Sequence, residues 1–545
     1  MTQRQYFQVK ASGTTPDPAV FCPSEGYILN QLSPVNGWNL LCQFQTNSPS
    51  TRTFDPTIYG TGYFSWDLGD GTVIMYDKNI THTYATSETK TVKLYGKTGC
   101  SVTSIDMLAD DIVGNVDLRD DAFKALTSFG FQNNTLMTGV QFPTVVTGVL
   151  QNVALSGCGL IGSLDLSMFN KLNTISGATF SFSSCPLLTG ITFATTITGK
   201  INMILAGGCN LTGNLDLTMF NSLVSSTTFN IYSHPNLTSV TFAPTIITGS
   251  MVNLQLQLCN LTGTLDLSMF KTLTDSDWGA YSNPNLTKVL MPSTTIGTMK
   301  ALRFDRCNLT GVVDLTSISA FGVGTNINYY TNPLMTGILF SPTAVTNTVQ
   351  FLRLYETGIV GNLDLSMFNK MASTGAYLDM HSNQSMTGIT FASSVSGMIA
   401  DLIIKLTGIA GNLDLSMFNS FSSNGNFVIS SNPNMTGVTL ASSITGLFTS
   451  IDSFSNQPSV FINPLKFSAP TSKSGVTIKL MDNGWTSAQV NEFLVGMNTR
   501  SISGYSSRFI TINGTNAAPD STSGGFDGVA AKSALIGKGF SVVTS

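Results

Sequence analysis

A short phrase recurs seven times in the middle of this chain, and nothing else constrains the fold as strongly. It reads IVGNVDL at 112–118, LIGSLDLSMF at 160–169, LTGNLDLTMF at 211–220, LTGTLDLSMF at 261–270, LTGVVDL at 309–315, IVGNLDLSMF at 359–368 and IAGNLDLSMF at 409–418. Its acidic residue falls at Asp117, Asp165, Asp216, Asp266, Asp314, Asp364 and Asp414, a period of 48–51 residues. Self-similarity at that length marks a solenoid, whose units stack because none can bury its apolar face alone.

A second, weaker phrase lies midway in each period, as in CPLLTGITF at 185–193 and NPNMTGVTL at 432–440. The first phrase is preceded at a fixed offset by Asp110, Cys158, Cys209, Cys259, Cys307, Thr357 and Thr407. The second opens on Asn134, Cys185, His234, Asn283, Asn332, Asn383 and Asn432. The two series interleave every 24–27 residues, which is one coil. Five and three positions before these markers stand apolar pairs such as Phe129/Phe131, Leu254/Leu256, Leu302/Phe304 and Phe427/Ile429. A two-residue apolar step predicts a strand with one buried face. The polar marker that closes the strand is then expected to turn inward and bond the backbone of the bend.

At Met251, Leu254, Leu256, Cys259 and Leu261 the spacing resembles a leucine-rich repeat. The tail of each coil lacks a ten-residue helical pattern and carries a second short strand, LDL in one coil type and ITF or VTF in the other. The expectation is a mostly β fold: a leucine-rich-repeat β-solenoid over 98–450, with about 14 coils in seven double repeats, and caps at its ends.

Before it, residues 1–20 read as an N-terminal arm and 21–97 as one small β domain. The run Phe64-Ser65-Trp66-Asp67-Leu68-Gly69-Asp70-Gly71-Thr72, then His82-Thr83-Tyr84 and Thr91-Val92-Lys93-Leu94, resembles the PKD-type immunoglobulin-like β-sandwich, with Leu68 where that pattern has Phe. The resemblance implies a structural phrase and not a catalytic one: Trp66 fills the core, and Asp67 and Asp70 cap a turn that Gly69 and Gly71 allow. After the solenoid, 451–545 reads as degenerate coils with Asn483 at the ladder site. A short helix over 487–497, capped by Ser487, a strand and turn over 509–520, a helix near 530–537 and a last strand then form a C-terminal cap.

Charged residues are 10% of the chain and the net charge is −4. That excludes a nucleic-acid footprint, which needs a basic stripe. No run of 18 apolar residues predicts membrane insertion. The opening MTQRQYFQVKASG has no apolar signal core. Together with repeats of a surface-protein kind, this leads to the expectation of a virion-surface protein made in the host cytoplasm. Ladder cysteines two coils apart are separated by about 9–10 Å, too far for disulfides. Cys185 approaches Cys158 or Cys209 only at the limit, and one pair among Cys22, Cys42 and Cys100 stays open.

Outward positions beside the buried pairs supply the candidate binding face: Tyr232, Tyr281, Arg303, Asp305, Asn328, Tyr330, Arg353, Tyr355, Asp379, His381, Ile403 and Lys405. Tyr, Arg and His on a rigid sheet suit a host-surface glycan or protein; the plainer alternative is a solvated sheet. The Asp row reads as a surface ladder bonded to Thr or backbone, with weak calcium binding as its alternative. His234 reads as structural. No C-x-x-C, H-E-x-x-H, P-loop or G-x-S-x-G is present, so no catalytic residue and no cofactor is expected. The reading is a non-enzymatic fibre or surface decoration that docks on other virion proteins through its N-terminal region. A bacterial surface adhesin and a glycan-degrading enzyme are the alternatives, and homo-oligomerisation stays open.

Overall fold

The computed structural model describes residues 36–47, 53–441, 448–452, 476–499 and 508–545, so the expected arm at 1–20, Cys22 and the segment 462–470 lie outside the described residues. The fold is mostly β, a parallel solenoid of about 13 turns with a small helical and sheet region at its C-terminal end. It comprises two units, Met1–Leu261 and Thr262–Ser545.

In the first unit one parallel sheet runs through Ser101–Asp106, Ser128–Gly130, Asn152–Ala154, Ala178–Ser181, Ile201–Leu205, Leu223–Asn230 and Met251–Gln255. Each strand carries one expected apolar pair inward; Phe129, Phe131, Phe180, Phe182 and Leu254 are all buried. In the second unit a parallel sheet of the same kind runs from Ser276–Gly279 through Ala320–Asn328 and Val345–Arg353 to Phe448–Asp452. It continues through Val476–Lys479, Arg508–Ile512 and Ser541–Thr544, so the tail adds true rungs to the sheet. We call this sheet the ladder face.

The residue before most markers takes a left-handed conformation, from Asn133 (φ 62°) and Ser184 (φ 60°) to Arg306 (φ 52°) and Ser431 (φ 60°). That conformation is costly for a side chain other than Gly, and the marker beside it holds the bend. Asn332 is fully buried; its Nδ2 donates to the Phe304 and Tyr329 carbonyls at 2.9 and 2.8 Å, and its Oδ1 accepts from Leu309 N at 3.1 Å. Asn383 and Asn432 repeat the pattern and also take the Thr357 and Thr407 hydroxyls. Where the marker is Cys, a thiol bonds one carbonyl, as Cys158 does with Phe131 O at 2.9 Å. Asn483 is buried at the expected site, and Asn516, which the sequence did not single out, bonds Leu480 O and Trp485 N in the same manner.

The opposite face differs from the expectation of a second sheet. The LDL and ITF strands form separate two-stranded parallel pairs: Gly162–Leu166 with Leu188–Phe193 and Thr212–Leu217 with Asn236–Phe242 in the first unit, and Gly311–Leu315 with Met335–Phe340, Gly361–Leu365 with Met386–Phe391 and Gly411–Leu415 with Met435–Leu440 in the second. Between pairs the coils touch through a bond such as Val360 N to Thr336 O (3.0 Å) and then part. Under four of these partings stands an edge-to-face phenylalanine pair: Phe142–Phe169, Phe193–Phe220, Phe340–Phe368 and Phe391–Phe418, all 5.0 Å apart at 77–80°. Asn285–Leu290 and Gly311–Leu315 part in the same way, with Met291 and the buried Ile318 at the equivalent positions, so the aromatic pair accompanies a seam without being required for it. The methionines of this phrase, unplaced by sequence, are buried at Met269 and Met367 and half-buried at Met168, Met219 and Met417.

At the N-terminal end of the first unit, Trp38–Thr46 pairs antiparallel with Lys90–Lys97 and also with Ile112–Asp117, while Thr57–Thr61 pairs antiparallel with Ser101–Asp106. Both sheet edges of the solenoid's first coil are thus closed by this region. Trp66 is fully buried, and Gly69 N and Thr72 N donate to Asp67 and Asp70 at 3.1 and 3.0 Å in a turn where Gly69 and Gly71 have φ 76° and 91°. His82 bonds Asp70 at 2.8 Å; burial opposes the charge on Asp70, but His82 and Thr72 outweigh it and hold the carboxyl below its usual value. Cys42 and Cys100 are free thiols. In the tail, the helix Ser487–Asn498 is capped by Thr486, not Ser487, in a capping box with Gln489. Its Val490, Phe493, Leu494 and Met497 are buried as the spacing predicted.

Candidate binding face

The ladder face carries three outward rows, and in the second unit the row nearest the bend forms a stacked column. Arg306 lies over the Tyr281 ring at 5.8 Å and over the Tyr330 ring at 5.6 Å. Tyr330 stacks on Tyr355 at 4.5 Å with planes 12° apart, and Tyr355 stacks on His381 at 4.5 Å and 9°. One group per coil is brought into register by strands about 4.8 Å apart. His381 Nδ1 meets Asp379 Oδ1 at 2.6 Å, which fixes the ring's plane.

Asp305, expected on this face, is not exposed: it is 2% accessible and lies beneath the column. Arg306 Nε donates to its Oδ2 at 3.1 Å. Burial raises its pKa against the opposing bonds from Tyr330 and Arg306, and burial with the Asp305 bond pushes Tyr330 up to about 12. A small acid at this position leaves a gap in the aromatic row, and Arg306 fills it from the left-handed bend. Arg306 was missed because its orientation comes from a positive φ that no glycine in the sequence marked.

Alongside, Arg303 bonds Asp277 at 2.8 Å and lies over Tyr281 at 5.8 Å. Arg353 lies over the Phe351 ring at 4.4 Å, and Phe351 stacks on Tyr377 at 5.0 Å. The rings therefore turn their faces to each other or to guanidinium groups. Lys405 is half-buried on the same row as His381. Tyr232 belongs to the first unit, where its ring lies against Gly207; a Cβ there would meet Tyr232 Cζ at 2.4 Å.

The other expected features are structural. Each Asp of the first phrase accepts the backbone N–H two residues on, at 2.9–3.0 Å, from Asp117 with Arg119 to Asp414 with Ser416. Such a bond caps the turn that ends the strand. Asn362 and Asn412 reach across to Thr390 and Thr439 at 2.9 Å. His234 is buried, accepts from Leu211 N at 3.4 Å, and is held below its ordinary pKa by burial. Cys185 and Cys209 are free thiols, donating to Leu155 O at 3.1 Å and Phe182 O at 3.0 Å. Asp110, the first ladder residue, is fully buried; Asp55 N donates to its Oδ1 at 3.1 Å, while its Oδ2 has no partner. Burial, with the Asp55, Asp106 and Asp111 carboxyls adding, pushes it up to about 7.

Two clefts, of about 490 and 460 Å³, lie on the paired face; the first is lined by Val289, Leu290, Val312 and Asp314, the second by Val140, Phe142, Leu164 and Asp165. Among the described residues no group of three or more His, Cys, Asp or Glu could hold a metal ion. No described helix is long and apolar enough to cross a membrane. In comparisons with known proteins, no protein-family model matches the chain, and no curated protein or solved structure matches it.

Proposed function

We propose that this chain is a non-enzymatic adhesive protein of a virion surface, a fibre or decoration, which uses the ladder face of its second unit to hold a host-surface partner. The observation that carries the reading is the column Arg306, Tyr330, Tyr355 and His381, four large side chains locked in register. Rigid Tyr and Arg groups lose little freedom on binding, and they are the residue types that dominate binding energy. The repeat architecture supports it, since stacked coils make an extended, rigid surface. In this reading the coils are of leucine-rich-repeat type and the N-terminal region is a PKD-like sandwich that docks on other virion proteins.

The test is adsorption. The purified chain should compete with intact particles for host cells, and Tyr355→Ala or Tyr330→Ala should abolish the competition while Asp364→Asn on the paired face should not. Immunogold labelling places the protein. Gold on bacterial envelopes in place of virions would make the chain a cell-surface adhesin, and release of sugars from host polysaccharide would make it an enzyme.

A further inference from the structure

Most polar side chains of the ladder face are satisfied within the face. Asp277 holds Arg303, Asp305 holds Arg306, and Asp379 holds His381, at 2.8, 3.1 and 2.6 Å. Asn326 Oδ1 is buried without a partner, and two neighbours in register also lack one. Asn328 is the in-register partner of Arg353 on one adjoining strand and of Arg303 on the other. It is 6% exposed, and its Oδ1 is buried without a hydrogen bond. Arg353 rests on the Phe351 ring and makes no ion pair among the described residues. A buried amide left unpaired beside an unpaired guanidinium needs an explanation, because both groups carry a desolvation cost that a partner would offset.

We propose that Asn328 and Arg353 form a binding site for an acidic sugar residue of a glycan. The inference rests on the reading of the ladder face as a binding surface and names what it binds. Arg353 presents a planar fork of donors that matches a carboxylate. Asn328 offers a donor and an acceptor together, as the hydroxyls of a sugar ring do. The long Arg303 and Arg353 side chains flank the amide on both sides, and movement of Arg353 onto the carboxylate uncovers it. A neutral sugar that depends on stacking would have to displace partners already in place, since Tyr281, Tyr330, Phe351 and Tyr355 lie against guanidinium groups or other rings.

The experiment titrates the full chain with polygalacturonate, dextran and poly-glutamate. Polygalacturonate should bind and dextran should not. Arg353→Gln and Asn328→Leu should each weaken binding at least about tenfold, with Lys288→Gln on the paired face as the unaffected control. Melting temperature separates site from scaffold: Asn328→Leu should leave it unchanged or raised, since the leucine removes an unsatisfied amide. Poly-glutamate binding as tightly, and indifferent to Asn328→Leu, would show attraction by charge alone and overturn the site. So would polygalacturonate that fails to bind, or that binds both variants like the parent chain. If polygalacturonate fails while Tyr355→Ala still abolishes adsorption to cells, the face stands and only the acidic-sugar site falls; if adsorption ignores Tyr355→Ala as well, both fall.

Discussion

The two faces of each coil are built from one repeat, yet one is continuous within each unit and the other is broken at every second coil. Beneath the ladder face the buried pairs follow one another as single apolar columns, and each bend is locked by a buried Asn, Cys, His or Thr. Beneath the paired face four of the breaks stand over two phenylalanines at nearly right angles, and one stands over Met291 and Ile318. The strand sequences above, LDL and ITF, are equally β-prone on both sides of a seam. Strand propensity therefore does not decide where the sheet breaks.

Four perturbations test this contrast. Removing a wedge should cost most: Phe368→Ala empties a site shared with Phe340 and Phe321 and should destabilise by about 3–5 kcal/mol in urea unfolding. A ladder lock comes next. Asn332→Ala leaves two carbonyls and one N–H of the bend unpaired, at about 1–3 kcal/mol per buried group left without a bond, and hydrogen exchange at Leu309 should quicken.

The third uses pH. The folded-state pKa of Asp110 is raised, so its contribution is fully present below the unfolded value and is lost as pH rises through about 7. Between about pH 6 and about pH 8 the loss is about 1 kcal/mol. Asp110→Asn, which installs the side chain used at Asn134, Asn283, Asn332, Asn383 and Asn432, should flatten that limb in thermal melts. His234 acts with the opposite sign: burial lowers its pKa, so stability should fall as pH drops below about 6.5, and His234→Asn should remove that dependence. Smallest is an outer cap. Asp364→Ala removes one exposed bond to Ser366 N and should cost about 1 kcal/mol or less.

Much of this was legible in the chain. The period, the inward pairs and the ladder markers could be placed because burial imposes a fixed two-residue step, and every coil repeats it. The seams could not, although Phe340 and Phe368 are plain in the sequence, because edge-to-face contact joins residues of successive coils and leaves no local signal. Of the candidate face, Tyr330, Tyr355 and His381 were legible as large groups on outward positions. Asp305 was not, because the pattern fixes direction only, and a short side chain under its neighbours' bulk is buried whichever way it points. The cap of the helix Ser487–Asn498 moved by one residue to Thr486, where the side chain reaches Gln489 N.

The seams also set a rule for how such a protein can change length. Each wedge joins the ITF phenylalanine of one period to the SMF phenylalanine of the next, so the interchangeable part is two coils. Excising 359–408, one whole period, would bring Phe418 to where Phe368 stood against Phe340 and leave a matched joint. Excising a single coil would set like against like and leave a phenylalanine without its counterpart. A lineage that lengthens or trims this solenoid is therefore held to steps of about fifty residues, like a ruler marked only at every second division.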